Sequence, residues 1–252
     1  MKKIIKYLFL LTGGSFILTS CNDFLDREPL DSVTPDNFFF TENDLAAYAV
    51  KHYNFTTHEG FNAGIWKNDN ATDNQAATDY DKKWIPGQWK VPEAYDNPAS
   101  NDPWYFSAIR EANYFLETVV PRFEKGEIEG SETNIKHYIG EMYFLRAKNY
   151  LSKLETFGDF PIIKNTLPDE SESLIQASKR APRYKVAHFI LEDLDQAISL
   201  LTNNISGGKN RITKNAALLL KSRAALFEAS WLTYHKGTAL VPGGPGWPGK
   251  AE

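Results

Sequence analysis

Three stretches of the chain repeat their apolar residues at three-and-four spacing, the period of one helix face. Residues 134–156 place Ile135, Tyr138, Ile139, Met142, Tyr143, Leu145, Tyr150, Leu151 and Leu154 in this way. Residues 184–201 do so with Tyr184, Ala187, Ile190, Leu191, Leu194, Ile198 and Leu201. Residues 213–234 start at Thr213 and carry Ala217, Leu220, Ala224, Phe227 and Trp231. Two further helices are expected upstream. Thr41 stands three residues before Asp44, a capping-box arrangement with Asp in place of the usual Glu. It opens a helix to about Asn54 with Leu45, Tyr48, Ala49, His52 and Tyr53 on one face. Asp102 and Pro103 are expected to cap the next, with Pro at its first position. Its inner face is Phe106, Ile109, Asn113, Leu116 and Val120, and Pro121 is expected to stop it. No strand period appears, and residues 160–163 are at most a short extended link. The expected fold class is mainly α.

Between these helices lies a contrast. Residues 55–102 have neither period and are rich in Asn, Asp, Gly and Pro, and so long a loop inside a compact domain is usually functional or mobile. Residues 242–249 are seven Pro or Gly and one Trp, a composition that makes neither a helix nor a capping element. Solenoids normally carry polar terminal caps, so the chain is expected to be the N-terminal portion of a longer protein. Arg146-Ala147 and Arg223-Ala224 sit alike in two helices, each followed three residues later by an aromatic, Tyr150 or Phe227. The offset suggests tetratricopeptide-like helix pairs, in which small Ala residues let helices stack closely.

The N-terminus reads as an address. Lys2, Lys3 and Lys6 make a positive start, and residues 4–18 are a mostly apolar run too short and too interrupted to span a bilayer comfortably. It ends Leu18-Thr19-Ser20-Cys21, the pattern of a bacterial lipobox. Cleavage there would leave Cys21 as an acylated N-terminus, firmly anchored because each buried methylene adds about 0.8 kcal/mol. The expected organisation is a signal peptide over 1–20, a tether over 21–40, a helical domain over 41–236 containing the loop 55–102, and a tail over 237–252.

Composition narrows the function. The chain has 28 basic and 32 acidic residues, a net charge of −4, without the basic stripe of a nucleic-acid binder. Removal of residues 1–20 takes away three Lys and no acid, leaving 25 − 32 = −7. The single Cys excludes an internal disulfide and a Cys-cluster zinc site. His52, His58, His137, His188 and His235 are scattered without paired spacing, so no metal is expected. No Walker A and no G-x-S-x-G sequence appears, and no cofactor is expected.

Several segments together resemble the motifs of one known family. Cys21-Asn22-Asp23-Phe24-Leu25-Asp26 resembles the family's start after the lipobox. Gly140-Glu141-Met142-Tyr143-Phe144-Leu145-Arg146-Ala147, then Phe157-Gly158-Asp159-Phe160-Pro161, resembles its GEA-x-FLRA helix and FGD-x-P turn. Asp193-Leu194-Asp195-Gln196-Ala197-Ile198 and Asn210-Arg211-Ile212-Thr213-Lys214 resemble later motifs in the same order. Met142, Tyr143 and Asn210 depart from the pattern. The family these motifs resemble is SusD/RagB, nutrient-binding outer-membrane lipoproteins whose members are about twice this length. The resemblance implies a SusD-like α-α superhelix of tetratricopeptide-like pairs with long irregular loops. It also implies capture of an oligosaccharide or other nutrient, without chemistry, for a SusC-like TonB-dependent transporter at the cell exterior.

Residues 61–106 hold nine aromatics, among them four of the six Trp, interleaved with six Asn and seven acidic residues. Aromatic plates take the C–H faces of sugars while carboxylates and amides bond the hydroxyls. Thr72-Asp73 resembles a family pair preceding ligand contacts, which directs attention to Asp73, Asp79, Tyr80, Asp81, Trp84 and Trp89. Each Trp has an alternative role as a pin holding the loop to the helices, and Trp104 is expected to be core. Arg146 is expected to be structural, paired with Asp159 or with helix carbonyls. Two other functions compete: a glycoside hydrolase using Asp79 and Asp81, and a tetratricopeptide-like adaptor binding a protein partner.

Overall fold

A computed structural model describes residues 38–53, 55, 85, 104–205 and 210–248. The chain divides into compact units of residues 1–38 and 39–252, and the helices belong to the second. Among the described residues there are six helices and two isolated bridges, and no strand. The helices are α1 (Glu42–Lys51), α2 (Ser107–Glu124), α3 (Glu132–Phe157), α4 (Ser171–Ala177), α5 (Arg183–Leu200) and α6 (Lys214–Tyr234).

Helix α3 is the axis of the fold. It packs against α1, α2, α5 and α6, and α5 packs in turn on α6. It buries residues on every side, from Ile135 to Leu154, as a helix surrounded by others must. Fully burying one such side chain is worth about 1.5–3 kcal/mol, so this helix carries much of the core. Gly140 lets the end of α5 approach closely: a Cβ there would lie 3.0 Å from Leu201 Cγ and 3.1 Å from Leu200 Cβ.

Helix α1 begins with the expected capping box, in which the Thr41 hydroxyl accepts from the Asp44 amide and the Asp44 carboxylate accepts from the Thr41 amide. The chain enters it through Phe39, fully buried at φ +70°. A left-handed Phe costs about 1–3 kcal/mol, offset by ring packing on Tyr48 and Phe115 at 5.0 and 5.3 Å. The Glu42 carboxylate accepts from the Ser131 amide at 2.7 Å and ties α1 to the start of α3.

Helix α2 departs from expectation at both ends. It starts at Ser107, not at Asp102-Pro103, which lie outside the described residues. Trp104 and Phe106 are drawn instead onto the rings of Phe157 and Phe160. At the other end Pro121 sits inside the helix, which runs on to Glu124. A Pro in the last turn removes one hydrogen bond, and the stop comes from Gly126 at φ +72°. Gly126 N–H donates to the Phe123 carbonyl and Glu127 N–H to the Arg122 carbonyl, a Schellman closure. Helix α4 has no buried residue, which is why no period announces it.

The FGD-x-P segment leads out of α3. Gly158, at φ +73°, ends that helix. Asp159 Oδ1 accepts from the Arg183 amide at 2.8 Å and so caps α5, whose own Pro182 offers no side chain for the task. Phe160 is fully buried and bridges Ala181 through paired backbone bonds. The tail over 235–248 forms turns and no helix, yet it does cover the helix ends: Val241 is buried and the Trp247 ring lies 6.2 Å from Tyr184.

Candidate functional site

The sequence-derived ligand residues Asp73, Asp79, Tyr80, Asp81, Trp84 and Trp89 lie outside the described residues, as does Cys21. The described chain resumes at Trp104, beside an apolar cleft of about 470 Å³. One wall is a ring stack: Trp104 on Phe157 at 4.0 Å, and Phe106 on Phe160 at 5.0 Å and 12°. Trp104 therefore precedes its helix and is half-buried rather than core. Ile109 of α2, Pro161, Ile163 and Leu174 of α4 complete the apolar lining. Arg110 and Arg180 stand at the rim, the latter 4.9 Å from the Trp104 ring. These residues come from the segment before α2, from α2 and α4, and from the two segments around α4, a dispersion that leaves no short motif.

The floor of this region is held by buried polar bonds. Asn113 Nδ2 donates to the Ile163 carbonyl at 2.8 Å, and its Oδ1 accepts from Arg146 Nη1 at 2.8 Å. Arg146 pairs in a two-pronged fashion with Asp193 on α5, with Nε and Nη2 each 2.7 Å from a carboxylate oxygen. Asp159 is thus not its partner, being committed to the Arg183 amide. Burial pushes the Asp193 carboxyl up, and Arg146 draws it partly back. The Tyr150 hydroxyl accepts from the Ile163 amide at 2.8 Å and donates to its carbonyl at 3.2 Å. Burial pushes that phenol up to about 12.

A second pin joins α3 to the segment before α6. Arg211 grips both oxygens of the fully buried Glu141 at 2.9 and 2.5 Å. His137 Nδ1 accepts from the Thr202 amide, which leaves Nε2–H for Glu141 at 3.1 Å. A third pin joins α5 to α6, Arg183 Nε to Glu228 Oε2 at 2.8 Å. Ala147 and Ala224 are both buried, as the internal repeat requires, but Arg223 is not a second Arg146. Its side chain is 73% exposed and lies 3.9 Å from Glu155.

Helices stacked in succession through small residues, and pinned by buried arginine–carboxylate pairs, define a tetratricopeptide-like scaffold. A family model, SusD-like and described as starch-binding and associating with the outer membrane, matches residues 23–226, and the chain belongs to that family. Two SusD-like proteins of Formosa agariphila are similar. One is 27% identical over 203 residues, covering 79% of this chain and 37% of its own. The other is 26% identical over 186 residues, covering 71% and 35%. A solved SusD-like protein of Bacteroides fragilis is 25% identical, with a TM-score of 0.58, over 81% of this chain and 39% of that one. A SusD-like carbohydrate binding protein of the same species shares the fold at 18% identity and a TM-score of 0.56. The match spans a little over one third of the length of these Formosa relatives. Among the described residues no helix is long and apolar enough to cross a membrane.

Proposed function

We propose that the chain binds an oligosaccharide without turning it over and passes it to a SusC-like TonB-dependent transporter. It does so from the outer membrane, facing the cell exterior, on a lipid attached to Cys21. The observation that carries the reading is the family match over residues 23–226. It is supported by the structural use of the motif residues: Gly140, Arg146, Gly158 and Asp159 each hold the helix scaffold together. The ligand contacts are then assigned to polar and aromatic residues between α1 and α2. Asp73, Asp79, Tyr80 and Asp81 bond sugar hydroxyls, and Trp84 and Trp89 take the apolar faces.

Affinity electrophoresis through gels containing starch, laminarin or mannan tests this. At least one polysaccharide should retard the protein, and Trp84→Ala with Trp89→Ala should remove the retardation. A wild-type protein that no polysaccharide retards, with no barrel co-purifying, would overturn the reading. One observation favours a protein partner instead. Leu219 and Leu226 on α6 are 74% and 69% exposed, a surface suited to an apolar contact.

A further inference from the structure

The outer end of the α5–α6 pair holds polar groups that the protein leaves unused. Arg183 and Glu228 are 8% and 7% exposed. Arg183 Nη2, Glu228 Oε1 and Trp231 Nε1 are buried and have no hydrogen-bond partner. Groups of this kind are costly unless something meets them. All three residues line one small cavity of about 20 Å³, and the Arg183 guanidinium lies 4.1 Å from the Trp231 ring. Tyr184 and Trp247 border this cavity and also a wider groove of about 790 Å³ that includes His188 and Lys236. That size falls within the usual range of small-ligand clefts.

The unused set is two donors and one acceptor. An anion would meet the Glu228 carboxylate, and a cation would meet Arg183. A neutral hydroxyl both accepts and donates, so it answers all three as a water would, and a sugar hydroxyl brings with it a ring for the apolar surface alongside. The rings of Tyr184 and Trp247, inclined at 54°, offer apolar surface beside it. We infer that this groove is a second carbohydrate subsite, in which one sugar hydroxyl enters the Arg183–Glu228–Trp231 cavity and the ring lies on Trp247. The inference rests on the oligosaccharide reading but concerns a place remote in sequence from residues 73–89.

The test follows the six indole N–H signals of the full chain by nitrogen-15 NMR during titration with glucose, galactose and xylose. Trp231→Phe and Trp247→Phe assign two of the signals. At least one sugar should move the Trp231 and Trp247 signals saturably, and Glu228→Gln should abolish the shift. Trp247→Ala, which leaves the buried pair intact, should weaken the response of Trp231 several-fold. Signals that stay still with all three sugars, move without saturating or ignore both variants would overturn the subsite and leave the cavity to a single water. Movement confined to the other four indole signals would overturn the subsite while keeping the first reading.

Discussion

The seams between α3 and α5 and between α5 and α6 share a plan and differ in finish. Each is crossed by one buried arginine–carboxylate pair, Arg146–Asp193 or Arg183–Glu228. In the inner seam nothing is left over, because Asp193 uses both oxygens and Arg146 also reaches Asn113 and the Lys164 carbonyl. In the outer seam Arg183 Nη2 and Glu228 Oε1 remain unpaired. The difference follows from position. Helix α2 and residues 163–165 close the inner seam on a third side and bring polar backbone with them. Among the described residues the outer one is bordered by the Pro/Gly tail, which brings Val241 and Trp247, and by Asp159 and Pro182, and there Arg183 Nη1 reaches the Leu154 carbonyl at 3.3 Å. The inner pair is fully met by its surroundings, and the groups left over in the outer pair are the basis of the subsite proposed above.

Substitutions at three positions test that contrast. Asp193→Ala strands the Arg146 charge in the core and should cost about 3–5 kcal/mol, measured by urea unfolding. A loss below about 1 kcal/mol, the net value of one ordinary hydrogen bond, would end the claim that this pair is a lock. Glu228→Gln removes a charge whose second oxygen bonds nothing, and should cost about 1 kcal/mol. An equal loss from Glu228→Gln and the matching Asp193→Asn would erase the distinction between the seams. Arg223→Ala, at the repeat position of Arg146, should change stability by less than about 0.5 kcal/mol. A larger effect would restore the sequence symmetry that the structure breaks.

Local signals were the readable ones. The Thr41–Asp44 capping box and the spans of α3, α5 and α6 follow from spacing within a single turn or helix face. Errors arose where tertiary contact overrode a local rule. Asp102-Pro103 looked like a helix start, but the rings of Phe157 and Phe160 claim the residues just after it. Pro121 looked like a stop, but a proline in a last turn forfeits only one bond, and the left-handed Gly126 does the stopping. Arg146 was legible as structural, whereas its partner, 47 residues away, was not. The Arg183–Glu228–Trp231 cluster was equally invisible, since its members lie on two helices and carry no motif. Trp84 and Trp89, which composition proposes as ligand contacts, lie outside the described residues.

The Tyr150 hydroxyl both accepts from and donates to Ile163, so a side chain does for one loop residue what a neighbouring strand does in a sheet. The Ile163 amide should therefore trade its hydrogen for deuterium slowly, on the timescale at which α3 itself opens rather than that of a surface loop. The turn leading to α4 thus inherits the rigidity of the central helix while having no regular structure of its own.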